Sequence, residues 1–590
     1  MDAFLVEGRF GFLGQRQPEA HRALLAQGWR LARSHQATDL WVRGEVRVRD
    51  VAGGWVVGEL FERGSGRQAD PVLALRHADG EALDARFDRL VQEFWGRYVA
   101  IFPEERALLR DPSGHLDCLT WSSSSAWLAG SALPSDLPAV MAPRGLAIDW
   151  PGVAAMLRDE SGTDPSLGLL GVSQLLPGTS RRLASKTVDR VVWHPARFAL
   201  EPHCSYDVSR RAMAEAVEES LAAEGGSAGR LLVEISGGLD SAIVTGTLAR
   251  LGAVGRACFV HFHIDDPGGD ERRFARAVAA QAGVELLEVV KPELRIGAGE
   301  LASMPIGVRP SNTAIDRHYD QTQADLAERF GVDRLLTGQG GDMIFFQSPS
   351  RGVGSEFWGR WARRPRADPL WRQLEDAARW NRCSVWSLLG EAVREAWRPQ
   401  TPTPDVHPWL DTAVAPAKQR QISSLIRSQL FHGASLRGAR AHLIHPLLHQ
   451  PVLEAALAAP VIDLARGGRG RSLARDVFSD RIPEFVRTRR SKGDLTAYYG
   501  RMVLRSLDVL TPFLLDGRLA QAGVLDRAAT ERFLDPDRMI HEGDYPRLFQ
   551  IVALEAYVRH WEGRIADFEA AACPGAGAAS RSASQGRTSA

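Results

Sequence analysis

Six residues, Ser236-Gly237-Gly238-Leu239-Asp240-Ser241, constrain this chain more than any others. They follow an apolar run with strand character, Leu231-Leu232-Val233-Glu234-Ile235, and precede a helical pattern from Ala242 to Ala249. A glycine turn between a buried strand and a helix N-terminus is where backbone N–H groups cradle phosphate. Ser236 and Ser241 add hydroxyl donors, and Gly237 and Gly238 let the backbone approach an anion without Cβ clashes. Asp240 beside phosphates makes electrostatic sense if a cation such as Mg2+ bridges them. An ordinary strand–helix turn with a capping serine accounts for the glycines. It does not account for two serines and an aspartate in six positions.

The flanking pattern sets the fold class. From about residue 207, apolar strands at 257–263, 285–290 and 334–337 alternate with amphipathic helices near 207–223, 270–282 and 313–330. That alternation predicts an α/β domain with a doubly wound parallel sheet, binding ligands at the carboxyl ends of its strands. A second glycine turn, Gly338-Gln339-Gly340-Gly341-Asp342, follows the last of these strands and carries one aspartate. Residues 1–200 are β-rich by alternation, as in Trp41–Val48 and Gly54–Leu60. Pro195 and Pro202 mark a boundary between His194 and Tyr206. The chain then reads as mostly helical from 350 to about 570, and the Ala/Ser/Gly/Arg-rich tail 573–590 reads as disordered.

At 590 residues the chain has room for two to four domains. Its net charge of zero argues against nucleic acid as a partner. The first residues carry no signal-peptide pattern and no apolar run is long enough to span a bilayer, so a cytoplasmic protein without membrane contact is expected. Five scattered cysteines indicate neither zinc nor a disulfide framework. Several of the sixteen tryptophans lie between Trp358 and Trp409 among arginines. Most suit helix packing, and a minority suit the wall of a peptide groove.

The first turn lacks the spacing and lysine of a P-loop. It resembles the SGGxDS loop of the PP-loop ATP pyrophosphatases, which cleave ATP between the α- and β-phosphates. The resemblance implies that Ser236, Gly237, Gly238, Asp240 and Ser241, with Gly338, hold the nucleotide and its leaving pyrophosphate. Asp240 and Asp342 would then share Mg2+ on the ATP phosphates. The order of SGGxDS, a GxGxD turn and a late Arg489-Arg490-Ser491-Lys492-Gly493 resembles the asparagine synthetase-like synthetases. Gly96–Ala100 with Arg110-Asp111-Pro112-Ser113-Gly114, Leu176-Pro177-Gly178, and His445-Pro446-Leu447-Leu448 extend the likeness over about 94–494. It implies a degenerate class II glutamine amidotransferase-like α/β/β/α sandwich over 1–200 and an adenylating, AMP-forming domain over 205–570. It also makes Lys492, alone merely part of a basic patch, the catalytic lysine.

One departure narrows the subgroup. A working glutaminase of this type needs cysteine directly after the initiator methionine, where this sequence has Asp2, and its first cysteine is Cys118. Glutamine hydrolysis is therefore expected to be absent, as in the β-lactam-forming synthetases and the lasso peptide cyclases. Trp95–Ala100, Arg110–Gly114 and Gly269-Asp270-Glu271-Arg272 look most like the lasso cyclases. That likeness implies adenylation of an Asp or Glu side chain in a leader-processed precursor peptide, then attack by the peptide's own N-terminal amine to close a macrolactam. The precursor peptide and a leader peptidase of the same pathway are the implied partners. β-Lactam-forming enzymes carry a tyrosine three residues before the second metal aspartate; here that position is Gln339. An α-amine with a pKa of about 7.7–8.0 needs positioning more than a strong base. His261 and His263 are candidates to assist, although a core or nucleotide-edge role suits both. A β-lactam-type or other small-molecule amide synthetase, an ammonia-dependent asparagine synthetase, and a non-catalytic peptide-binding scaffold stay open as alternatives.

Overall fold

The computed structural model describes residues 2–10, 17–68, 82–159, 162–183, 187–202, 205–227, 229–311, 315–357, 369–396, 407–490, 493, 495–542 and 544–572. The tail 573–590, Lys492 and parts of the Trp358–Trp409 stretch lie outside them.

Alternation in the first 200 residues produces two six-stranded antiparallel sheets. Period-two patterning decides how they pack. In the strand Ala3–Arg9, Phe4 and Val6 face inward with Leu40, Val42 and Trp127 to meet Trp55, Val57, Val99 and Ile101 of the second sheet. Leu5 points the other way, under the helix Pro18–Ala26. The helix Leu83–Glu93 covers the outer face of the second sheet through Phe87 and Leu90. Helix, sheet, sheet and helix thus stack in that order.

Five parallel strands form the third sheet: β1 (Leu231–Glu234), β2 (Ala257–His263), β3 (Leu286–Val290), β4 (Arg334–Leu336) and β5 (His442–Ile444). Their order is β3-β2-β1-β4-β5. Leu231, Val233, Phe259 and Leu336 pack against helices Tyr206–Ser227, Leu239–Arg250 and Arg272–Ala282 on one face. Leu232, Val260, Leu335 and Leu443 pack against helix Arg317–Phe330 on the other. Both faces are covered, as a doubly wound sheet requires. β5 lies in the stretch after 350 that reads as mostly helical in sequence. It is only three residues long, and pairing with β4 rather than local pattern makes it a strand.

The 195–205 boundary does not separate loosely joined parts. Trp193 Nε1 and Arg63 Nη1 both reach Glu454, at 2.8 and 2.6 Å. Arg97, in the strand Phe94–Phe102, pairs with Glu224 of helix Tyr206–Ser227 and with Glu59, and Arg334 of β4 pairs with the same two carboxylates. Gly96 must be glycine here, with φ +153° and an added Cβ only 2.1 Å from the Glu59 carbonyl oxygen. The Asp111–Gly114 turn also docks across the boundary, because the Ser113 carbonyl accepts a 3.0 Å bond from Gln429 Nε2.

Burial pushes the Glu224 carboxyl up, but Arg97 and Arg334 more than offset it and hold it well below the usual carboxylate range. This contribution to stability is complete above the unfolded carboxyl value, near 4.3, and fades as pH falls below it. Arg97→Ala or Glu224→Ala is expected to cost about 3–5 kcal/mol by leaving a buried charge unpaired. Denaturant unfolding tests this; a change under ~1 kcal/mol at neutral pH would exclude the network as an anchor.

Candidate active site

In the order β3-β2-β1-β4-β5 the direction of winding reverses between β1 and β4. Crevices at such switch points, beyond the carboxyl ends of the strands, are where open α/β sheets bind ligands. The two glycine turns leave the sheet there, one from each strand.

The first turn closes on itself. Ser236 N donates to Ser241 Oγ at 3.1 Å, the two serine hydroxyls lie 3.0 Å apart, and Ser241 Oγ donates to the Gly238 carbonyl at 3.3 Å. Ser241 is buried, so its hydroxyl shapes the turn. Gly237 has φ +77°, and its backbone lies against Glu271 and Phe274, which an added Cβ would approach to 3.1–3.2 Å. Gly238 is the N-cap of helix Leu239–Arg250 and makes no side-chain cap, so the first amides of that helix remain available to an anion.

The second turn presses on the first. An added Cβ on Gly338 would stand 2.4 Å from Ser241 N, and one on Gly341 would stand 2.6 Å from Asp240 Cγ. Asp342 directly follows Gly341 and is exposed in the first turn of the short helix Gly341–Ile344. The N-cap there is Gly340, at φ +90°, so Asp342 does no capping. The turn that carries Asp342 thus lies against Asp240. Asp240 has an additional partner, Arg471, whose Nη1 donates to Oδ2 at 2.7 Å.

Arg471 belongs to a wall that the sequence analysis did not identify. A cleft of about 730 Å3 opens from Gly238 and Leu239 and is lined by Arg469, Arg471, Arg475, Arg489 and Arg490, with Arg379 and Arg382 from across it. Among the described residues its one acidic lining residue is Asp376. Burial, and then the cations Arg469 and Arg471, push the Arg475 guanidinium down to about 9. It stays charged at neutral pH, and a polyanion in the cleft would relieve the repulsion. In sequence the wall shows only as the run Arg466-Gly467-Gly468-Arg469-Gly470-Arg471 and the basic patch at Arg489-Arg490.

Lys492 lies outside the described residues, but the chain on both sides of it is tied to the first turn. Arg489 Nη2 and Gly493 N donate to Glu271 Oε1 at 2.7 and 2.6 Å, and Arg489 Nη1 donates to the Gly237 carbonyl at 3.2 Å. Glu271, noted in sequence only within a four-residue match, is the anchor. His261 and His263 are buried. His261 Nδ1 bonds the Ile235 carbonyl at 2.7 Å, which braces the start of the turn. The Gln339 side-chain carbonyl is buried and accepts no hydrogen bond from a described residue.

A helix N-terminus without a side-chain cap, beside an arginine wall, suits an anionic ligand. The asparagine synthase family profile matches residues 210–561, which span the parallel sheet, both turns, the arginine wall and the Lys492 segment.

The chain belongs to the asparagine synthase family.

Asparagine synthase family members are ATP-dependent ligases that form C–N bonds. No curated protein matches the chain significantly. Among the described residues, no helix is long and apolar enough to cross a membrane.

Proposed function

We propose that this synthetase joins a carboxylate to an amine of the same substrate, and that the substrate is a linear peptide closed into a lasso-type macrolactam. The observation that carries the reading is Cys118. It is the only cysteine in residues 1–200, it is fully buried, and burial pushes its thiol up to about 12. A thiol that stays protonated and inaccessible does not hydrolyse glutamine. The nitrogen then comes from an amine on the substrate, in keeping with Asp2, whose carboxylate instead accepts from Glu45 N at 2.9 Å. A cleft near 730 Å3 has room for more than a triphosphate, as a peptide substrate requires.

In this reading the amides at Gly238–Leu239 and the Arg471 and Arg489 guanidiniums receive the phosphates. Asp240 and Asp342 would hold Mg2+, which neutralises phosphate charge as the α–β bond breaks. A side-chain carboxylate of the peptide attacks the α-phosphorus, giving an acyl adenylate and pyrophosphate. Lys492 offsets charge on the α-phosphate and then on the tetrahedral oxyanion. The N-terminal amine displaces AMP, which carries away the amine's proton on its phosphate.

Glutamine is not expected to serve as a nitrogen donor. Glutamate release from glutamine above a no-enzyme blank would contradict that. The wider reading is tested by ATP, Mg2+ and linear peptides with a free N-terminus, following loss of water by mass spectrometry. Conversion of aspartate and ammonium to asparagine, with no peptide cyclised, would replace it by a small-molecule synthetase.

A further inference from the structure

We propose that a second cavity, between the first N-terminal sheet and the C-terminal helix, binds a small organic carboxylate with an apolar body. The cavity holds about 250 Å3 and lies away from both glycine turns. Four segments distant in sequence build it: Asp117–Leu133, the loop Ile306–Ser311, residues 429–434, and His560–Arg564 of the helix Tyr545–Ala572.

Its described lining carries two arginines, Arg309 and Arg564, and one carboxylate, Asp117. The Arg309 side chain is only 19% exposed and makes no hydrogen bond to a described residue. Its ion contact is Asp117, at 3.8 Å. That carboxylate is already engaged, since Asp117 Oδ1 accepts from Arg110 Nη2 at 2.8 Å and from Gln174 Nε2 at 3.0 Å. Arg564 uses one nitrogen, Nη2, on the Leu133 carbonyl at 3.2 Å, and its Nε is buried without a partner. His432 in the wall has no hydrogen-bond partner among the described residues at either ring nitrogen, and burial followed by neighbouring His445 and arginines keeps it neutral. The lining thus holds two guanidiniums: Arg564 has Asp567 and Asp136 near it, and Arg309 has only the distant Asp117, whose Oδ1 already accepts from Arg110 and Gln174.

A partly buried guanidinium without hydrogen bonds is costly, and its fork matches a planar carboxylate. Leu133, Val308 and Trp561 supply apolar wall beside Arg309 and Arg564. The volume is below that of most drug-sized pockets, so the occupant is of amino-acid to dipeptide size. The same chemistry is presented by a free acid and by the C-terminal residue of a peptide.

Isothermal titration of the full chain with N-acetyl-leucine, its neutral C-terminal amide and inorganic phosphate tests the proposal, with Ala-Ala-Leu as free acid and as amide in a second arm. An acid in either arm is expected to bind at least about tenfold more tightly than its amide and than phosphate. Saturation by N-acetyl-leucine identifies a free acid, and saturation by the tripeptide acid alone identifies a chain terminus. Arg309→Gln should weaken the acid about tenfold, and Arg564→Gln provides the same comparison if Arg309→Gln does not fold. Equal binding of acid and amide, a preference for phosphate, no binding up to ~10 mM, or wild-type affinity in a folded arginine variant would each overturn the assignment.

Discussion

Asp240→Asn is expected to abolish ATP-dependent pyrophosphate release, by ~10³-fold or more, with the circular-dichroism spectrum unchanged. An amide is a poor ligand for a hard cation, and a preorganised charge at a transferring phosphoryl group carries much of the barrier reduction. Asp240 also bonds Arg471, so the substitution weakens one wall of the arginine cleft. Asp342→Asn separates the two effects. Asp342 is exposed and makes no side-chain hydrogen bond to a described residue, so on the proposed reading its loss would act through Mg2+ and leave the arginine wall intact. If Asp342→Asn keeps wild-type pyrophosphate release while Asp240→Asn does not, the defect lies in the Arg471 wall and the two-carboxylate assignment is wrong.

Lys492→Ala is expected to lower kcat by ~10²–10³ and to change KM far less, because its ammonium is assigned to charge that develops in the transition state. Lys492→Arg should rescue poorly, since a planar fork and a compact point charge are not interchangeable. A solvated basic loop predicts the opposite, with both variants within ~0.5 kcal/mol of wild type. Steady-state rates with ATP and a linear peptide distinguish the two. The Glu271 tether makes a control: Glu271→Gln releases Arg489 and Gly493 from the turn and should impair the reaction through the Lys492 segment's position, which Lys492→Arg does not share.

The turns were legible in sequence because their requirements are local. Gly338 and Gly341 are glycine because the other turn's backbone and Asp240 occupy the space a Cβ would need, and the spacing shows that demand without the structure. Strands β1, β2 and β4 were legible for the same reason, as short apolar runs bounded by turns. β5 was not, since three residues carry no period and its partner strand defines it. The arginine cleft was invisible because Arg379, Arg469 and Arg489 are far apart in the chain and each alone resembles surface charge. Arg97 was singled out for its motif, but only the structure shows that the motif is a buried joint between the second antiparallel sheet and the parallel one.

The central claim is that a substrate carboxylate is adenylated in the crevice between β1 and β4. Positional isotope transfer tests it directly: a linear peptide whose Asp or Glu side chain carries 18O is turned over with ATP, and the nucleotide products are analysed by mass spectrometry. The account predicts one 18O in AMP, unlabelled pyrophosphate and a peptide product lighter by one labelled water. Label in inorganic phosphate together with ADP would contradict it.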